Sequence, residues 1–487
     1  MLIRHAMALA VAVMLYASQS ALAATDADLA ELRDQVRLLK EQYQQRIEAL
    51  ERRLAATERA AGGTSTVPAT TTTAQSATVA APPAPAPASA MTASRASGEN
   101  ATNPAISLVL NGVYSNLSKD AASYRIDGFV PPGSDIGPPR RGLSLAESEL
   151  VMAANIDHNF RGTLIATLGA NDSVGVENAF IETLALPRGF TLKAGRFFTA
   201  SGYQNEIHRH AWDFADAPLA NRVFLGTQRA DDGIRLAWIA PTDLYFSLGG
   251  ELLRGRAFPA GPAGGRDKNG AGAVNLFARL GGDIGDSIAW QAGLSHLSTS
   301  PQDRSFTDTD ASGATVTNGF TGKSRLWALS GVLKWAPRGN ATATSIKLQG
   351  ELFGRTEDGM LTYNSGNEAA ATQASTQGAY RTRQSGGYVQ GIYQFMPRWR
   401  VGLRYDRLAP GTQSLGLVGN GALAAADFPM LSNYGPRRQT LMVDWSGSEF
   451  SRLRLQFARD ASRLGRIDNQ WLLQYIVSFG AHGAHAF

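Results

Sequence analysis

The chain has no cysteine, which removes disulfides, thiolate metal sites and cysteine nucleophiles at once. The same absence suits a protein exported into an oxidising compartment. Beyond the N-terminal stretch no run of about eighteen apolar residues occurs, so helical membrane spans are excluded. Charge of one sign is also scarce. A formal net charge of +5 over 487 residues gives no warrant for nucleic-acid binding. Glycine, by contrast, is abundant at 51 residues, and with modest hydrophobicity it fits strands facing lipid on one side and water on the other.

Residues 1–23 read as an export signal peptide. Arg4 and His5 form a short basic start, Ala6 to Tyr16 the apolar stretch, and Ala21-Leu22-Ala23 a small-x-small cleavage site. The mature chain is expected to begin near Ala24, in the periplasm. Over 24–60, Leu29, Leu32, Val36, Leu39 and Tyr43 recur at three-four spacing, and Ile47, Leu50 and Leu54 resume it after a four-residue step. That predicts a short α-helical coiled coil with one stutter. Some thirty residues of such helix are weakly stable alone, so self-assembly is expected; a single amphipathic helix lying on its own barrel is the alternative. Residues 61–103 collapse to Ala, Thr, Ser, Pro and Gly, including Ala81-Pro82-Pro83-Ala84-Pro85, and predict a partly extended linker.

From residue 104 to 487 the rhythm has a period of two. At the end of the chain Trp471, Leu473, Tyr475, Val477 and Phe479 alternate with Gln470, Leu472, Gln474, Ile476 and Ser478, so one face of a strand is wholly apolar and the other largely polar. The unit repeats, with strands expected to begin near Ile106, Ser144, Phe160, Val174, Gly189, Asp231, Asp243, Val274, Asp286, Ser324, Thr344, Gly386, Trp399, Arg437, Phe450 and Asn469. Turns after even-numbered strands are tight, as at Leu186-Pro187-Arg188 and Met396-Pro397-Arg398, whereas most odd ones are long and polar. The prediction is an all-β transmembrane barrel of about 16 antiparallel strands in a Gram-negative outer membrane, both chain ends periplasmic. Trp238, Trp290, Trp327, Trp335, Trp399, Tyr405, Trp445, Trp471 and Phe479 fall at strand ends on the lipid face, as interfacial girdles do. The terminal Phe487 suits a barrel-sorting signal, although Ala481, Gly483 and His485 interrupt the apolar alternation before it.

The opposite face lines the interior. Alternation assigns to it Arg161, Lys193, Arg235, Arg279, Lys347, Arg398, Arg400, Arg404, Arg452 and Arg454, together with Glu147, Glu149, Glu251, Glu351, Asp406 and Asp444. Sixteen strands enclose a lumen too wide for side chains to fill, so it is expected to hold water. The basic excess predicts a preference for anionic among small hydrophilic solutes; mutual pairing of opposite charges along the wall is the alternative. The third outer connection stands apart by carrying Trp212, Phe214, Val223, Phe224 and Leu225. Apolar residues in a loop must pack somewhere, and the lumen wall is available. Folded inward, it would narrow the channel and bring Glu206, His208, Arg209, His210, Trp212, Asp213, Asp216 and Arg222 beside a permeating solute. His208 and His210, two apart with Glu206 and Asp213 nearby, are weak candidates for a divalent metal. They lack an established third ligand, so no metal and no cofactor is assigned.

Gly195-Arg196-Phe197, leading to Asn205, His208, His210, Trp212 and Asp216-Ala217-Pro218-Leu219, resembles the porin O/P family of outer-membrane channels, which includes phosphate-selective porins. The resemblance covers signal, coiled coil, linker and barrel. It implies a sixteen-stranded homotrimeric channel, in lipid, whose third loop folds inward. Phosphate-selective members have a lumen dominated by Arg and Lys; Glu147, Glu149 and Glu251 interrupt such a ladder here, so phosphate specificity does not follow. Passive diffusion is therefore expected. An energised receptor would need a plug domain that residues 61–103 cannot supply, and a hydrolase would need a nucleophile motif that does not stand out.

Overall fold

The computed structural model describes residues 104–133, 136–170, 173–261 and 269–480. The expected signal, coiled coil, linker and terminal Phe487 lie outside these residues. The first strands are β1 (Ala105–Leu117), β2 (Gly142–Leu145), β3 (Ser148–Asn155), β4 (Phe160–Leu168), β5 (Val174–Thr183) and β6 (Phe190–Phe198). There follow β7 (Ala230–Ile239), β8 (Tyr245–Leu253), β9 (Ala273–Ile284), β10 (Ile288–Thr299), β11 (Arg304–Thr309) and β12 (Thr315–Trp335). The last six are β13 (Ser345–Tyr363), β14 (Thr376–Met396), β15 (Trp399–Leu415), β16 (Arg437–Ser448), β17 (Ser451–Arg463) and β18 (Arg466–Gly480).

β2 and β3 both pair with β1, and β10 and β11 both pair with β12. Each couple is one interrupted stave, so the eighteen strands make sixteen staves. Every pairing is antiparallel, and β1 pairs with β18 from Ser107 to Leu117, which closes the sheet. Closure pairs the backbone groups that an edge strand would leave open. No helix among the described residues is long and apolar enough to cross a membrane.

The staves form where apolar residues alternate outward. On β12 the outward positions Trp327, Leu329, Leu333 and Trp335 make an apolar stripe bracketed by tryptophans, roughly 26 Å along the strand at about 3.3 Å per residue. Neighbouring staves continue it with Leu348 and Leu352, Val389 and Tyr393, Leu403 and Trp399, Leu441 and Trp445, Leu473 and Tyr475, all exposed. Ring pairs such as Phe190–Trp238, Trp238–Phe246 and Trp399–Trp445 link staves near the rim where β1 begins and β18 ends. A continuous apolar belt round a closed cylinder is a lipid-facing surface, far larger than the patches that soluble proteins carry.

Beyond the belt the polarity reverses. Strands β12 to β15 run on past it, with Thr321, Lys323, Asp358, Arg381 and Arg383 outward. Val316, Phe320, Leu361, Tyr363 and Tyr380 point inward onto Leu417, Leu423, Phe428, Met430 and Leu431 of the β15–β16 connection. This changes the expectation for three connections. Much of 297–323 and 355–385 is strand rather than irregular loop, and β15 runs on to Leu415 within 409–436, so β12 begins nine residues and β14 ten residues before the expected starts. The alternation is present there, but with the greasy face inside, which a search for outward apolar residues passes over.

Part of the lumen is packed by connections. A helix, α1 (Leu219–Leu225), lies inside the barrel, with Leu219, Val223, Phe224 and Leu225 buried against Phe129 and Ile136 of the β1–β2 connection. Leu253, Leu297, Leu326, Phe353 and Leu408 of the wall complete this core.

Gly195 is a point of close approach on β6. Its φ is +129°, and a Cβ there would land against the Ala179 carbonyl of β5. Gly195→Ala is expected to cost about 1–3 kcal/mol, read as a lower urea midpoint for the detergent-folded barrel.

Candidate functional site

The connection between β6 and β7, residues 199–229, crosses the lumen. Its neck closes on itself: Asn205 Nδ2 donates to the Arg229 carbonyl at 3.0 Å, and the Arg229 N–H returns a bond to Asn205 Oδ1 at 2.6 Å. Trp212 Nε1 donates to the Ile207 carbonyl at 2.7 Å, folding the loop tip back. α1 then starts where Asp406 Oδ1 of β15 accepts the Leu219 N–H at 2.8 Å, an anion at the helix end that favours one. It stops at Gly226, left-handed at φ 66°.

Wall residues from opposite sides hold this loop. Glu206 accepts from Arg235 of β7 at 2.8 Å and from Arg279 of β9. Asp213 accepts from Lys347 of β13 at 2.8 Å and Arg400 of β15 at 3.2 Å. Three arginines converge on Asp216: Arg404 at 2.8 Å, Arg438 of β16 at 2.5 Å, and Arg222 of α1 at 3.0 Å. Backbone groups are taken up too. Glu251 of β8 accepts the Ala200 N–H, Glu351 of β13 the Tyr203 N–H, and Gln456 of β17 the Ala215 N–H. Arg452 and Arg454 donate to the carbonyls of His210 and Trp212.

A second cluster ties the loop to β3 and β5. His208 Nδ1 is 3.0 Å from Glu177 Oε2, His210 Nδ1 is 2.8 Å from Glu149 Oε1, and Arg209 Nε is 3.2 Å from Glu147 Oε1. The loop lies outside the strands, and its charges are set by these partners. Burial works against a charge on His208, but the Glu177 hydrogen bond and the carboxylates of Glu149, Glu177 and Glu147 hold the imidazolium to about 9. Burial likewise raises the Asp216 carboxyl, and Arg438, Arg404 and Arg222 reverse this, holding it well below the usual carboxylate range.

The sequence-selected residues are therefore brought together, but in another role. The loop charges were expected to stand beside a solute; most are turned to the wall and occupied by it. Of the selected basic residues, Arg235, Arg279, Lys347, Arg400, Arg404, Arg452 and Arg454 touch the loop. Lys193 instead pairs with Glu182 at 3.4 Å and lies over the Phe180 ring. Arg398 is not on the lumen wall. It occupies the tight turn between β14 and β15, exposed and at φ 71°, one residue before β15 begins, so the phase that turns Arg400 and Arg404 inward does not reach it. Of the acids that seemed to interrupt a basic ladder, Glu149 and Glu251 are loop anchors and Glu147 lies beside Arg209; the inward acids Glu351 and Asp406 anchor the loop as well. Arg438, Gln456 and Glu177 were missed. Arg438 shares the inward phase of Asp444 and was legible; Glu177 was not, because the β4–β5 register passes from Ile165↔Asn178 to Ala166↔Val176 and skips it. A bulge re-aims such a residue.

These features define a closed β-barrel whose charged interior is crossed by one anchored loop. No protein-family model matches the chain, so the porin O/P likeness stays a resemblance. An uncharacterised protein of Aquifex aeolicus (strain VF5) is 28% identical over 364 residues, 72% of this chain and 71% of that one. Among solved structures, the loop L8 deletion mutant of OmpT, an outer membrane protein of Vibrio cholerae, is 10% identical over 78% of this chain and 100% of its own, with a TM-score of 0.48. The outer membrane channel DcaP of Acinetobacter baumannii is 12% identical over 78% and 99%, TM-score 0.46. An anion-selective porin from Comamonas acidovorans is 10% identical over 78% and 100%, TM-score 0.43. At such identities and scores, none of these likenesses bears on what this chain passes or binds.

Removing the charge of Asp216 leaves buried arginines uncompensated. Asp216→Asn is expected to cost about 3–5 kcal/mol and to open the loop to trypsin at Arg209, both measurable on detergent-folded protein. The wild-type contribution is fully present above the unfolded carboxyl pKa near 4 and fades as pH falls toward the depressed folded value. The stability difference between wild type and Asp216→Asn should therefore shrink below about pH 4; a gap independent of pH would remove Asp216 as the source.

Proposed function

We propose that the chain is an outer-membrane porin, a narrow water-filled channel for passive diffusion of small hydrophilic solutes that prefers anions. The observation that carries this reading is the anchored loop across the interior of a cylinder with a lipid-facing belt. A loop held from opposite walls sets a fixed constriction, and selectivity then follows from its radius and the charge at its rim. The filling by α1 and the β1–β2 connection argues for small solutes. A trimer joined through residues 24–60 belongs to the same reading, with the N-terminal region in the periplasm.

The sign of selectivity is argued from which partner of each ion pair keeps contact with solvent. Lys347 and Arg400 retain 23% and 16% of their side-chain surface while Asp213 between them retains 8%. Arg209 keeps 31% against 20% for Glu147. At Asp216 the order is reversed and the arginines are buried, so that corner is packed wall rather than passage. At Glu206 the acid keeps 15% against 9% for Arg235 and 18% for Arg279; around Asp213 and at Arg209, where the cation is the more exposed partner, positive charge predominates and raises the local concentration of anions.

A unit charge within about 4 Å of a permeating ion is worth about 1 kcal/mol in water, roughly five-fold in occupancy. In planar bilayers with asymmetric salt, Lys347→Gln combined with Arg400→Gln should lower the anion-to-cation permeability ratio by at least about five-fold, and Arg398→Gln should leave it unchanged. An unaltered reversal potential in the double variant would refute the anion preference. Wild-type protein that inserts but carries no current steps would end the channel reading itself.

A further inference from the structure

The histidine cluster has a feature that loop anchoring leaves unexplained. Glu149 is fully buried, and while its Oε1 faces His210, its Oε2 accepts no hydrogen bond and lies 3.5 Å from His208 Nδ1. Glu177, turned inward by the bulge, brings Oε2 to 3.0 Å from the same nitrogen. Ligand atoms of Glu149, Glu177 and His208 all lie within 4.8 Å of one another. From these three residues we propose a divalent transition-metal site, for Zn²⁺ foremost, bridging the β6–β7 loop to β3 and β5.

Three physical arguments carry it. The first is spacing: two ligand atoms on a tetrahedral Zn²⁺ with bonds of about 2.0–2.1 Å stand roughly 3.3 Å apart, and the two separations from His208 Nδ1 are 3.0 and 3.5 Å. The second is charge. Glu147, Glu149 and Glu177 face one permanent cation, Arg209; a metal on His208 Nδ1 displaces the imidazolium proton, and the cluster then has two negative charges in excess, which a divalent ion neutralises. A buried carboxylate oxygen that accepts no hydrogen bond is costly, and a metal bond removes that cost. The third is the outer shell and the entry path. His210 Nδ1 holds the other Glu149 oxygen at 2.8 Å, the kind of support that orients a ligating carboxylate, and its ring stacks on His208 with centroids 5.8 Å apart. His208 keeps 28% of its side-chain surface, so an ion can reach the site and water can supply the fourth ligand. One imidazole with two carboxylates suits Zn²⁺ rather than Ca²⁺ or Mg²⁺, which take larger all-oxygen sets. A bound ion would lock the loop to the wall on the side opposite Asp213.

The test uses untagged full-length protein folded in detergent and stripped with EDTA. Equilibrium dialysis against Zn²⁺, with bound metal counted by mass spectrometry, should show one saturable equivalent per chain. His208→Ala and Glu177→Gln should each weaken it at least about ten-fold, while His158→Ala, in the exposed β3–β4 turn, should bind as wild type. Co²⁺ in the wild type should give the intense visible bands of a four-coordinate ion, a readout that does not depend on either variant folding. No stoichiometric uptake, full affinity in folded His208→Ala and Glu177→Gln, or only the weak spectrum of six-coordinate Co²⁺ would each overturn the site.

Discussion

A sheet that closes on itself acquires an inside, and with sixteen staves the inside is wider than wall side chains can fill. That width is the constraint from which the rest follows. A barrel of this size must hold water, ligand or chain. Here residues 199–229 and the β1–β2 connection take up much of the space, and α1 supplies the apolar filling around Phe224. The loop could not stay there on apolar packing alone, since much of its length borders charged wall.

Ion pairing holds it, and the arrangement shows how. Each loop acid meets more than one cation: Glu206 two, Asp213 two, Asp216 three. Burying charges costs more than a single pair returns, so the network is best understood as fixing one position for the loop rather than as surplus stability. A loop with a different path would leave several arginines buried and unpaired. The wall acids complete the scheme by accepting the loop's own N–H groups, which would otherwise lack partners inside a barrel.

The staves also change their solvent along their length. Within the belt β12 presents Trp327 and Leu329 outward; further on it presents Thr321 and Lys323 outward and turns Phe320 in. The backbone is the same throughout. What differs is which side has water, so the belt ends where the inward face becomes the greasy one.

Much of this was legible in the chain. Period-two alternation located the staves, because a strand in a bilayer must show lipid one face. The apolar content of Trp212, Phe214 and Phe224 placed the third connection in the lumen, because such residues have nowhere else to go. Alternation failed at Arg398, where the strand phase was carried one residue into a turn, and at Glu177, where a bulge breaks the count. The sequence by itself thus determined the barrel and its inward loop, since both depend on local periodicity and composition. Which acid meets which arginine, and that Glu149, Glu177 and His208 converge, were decided by the tertiary structure alone: those residues come from staves and a loop far apart in the chain, and no local pattern records the distance that closure brings between them.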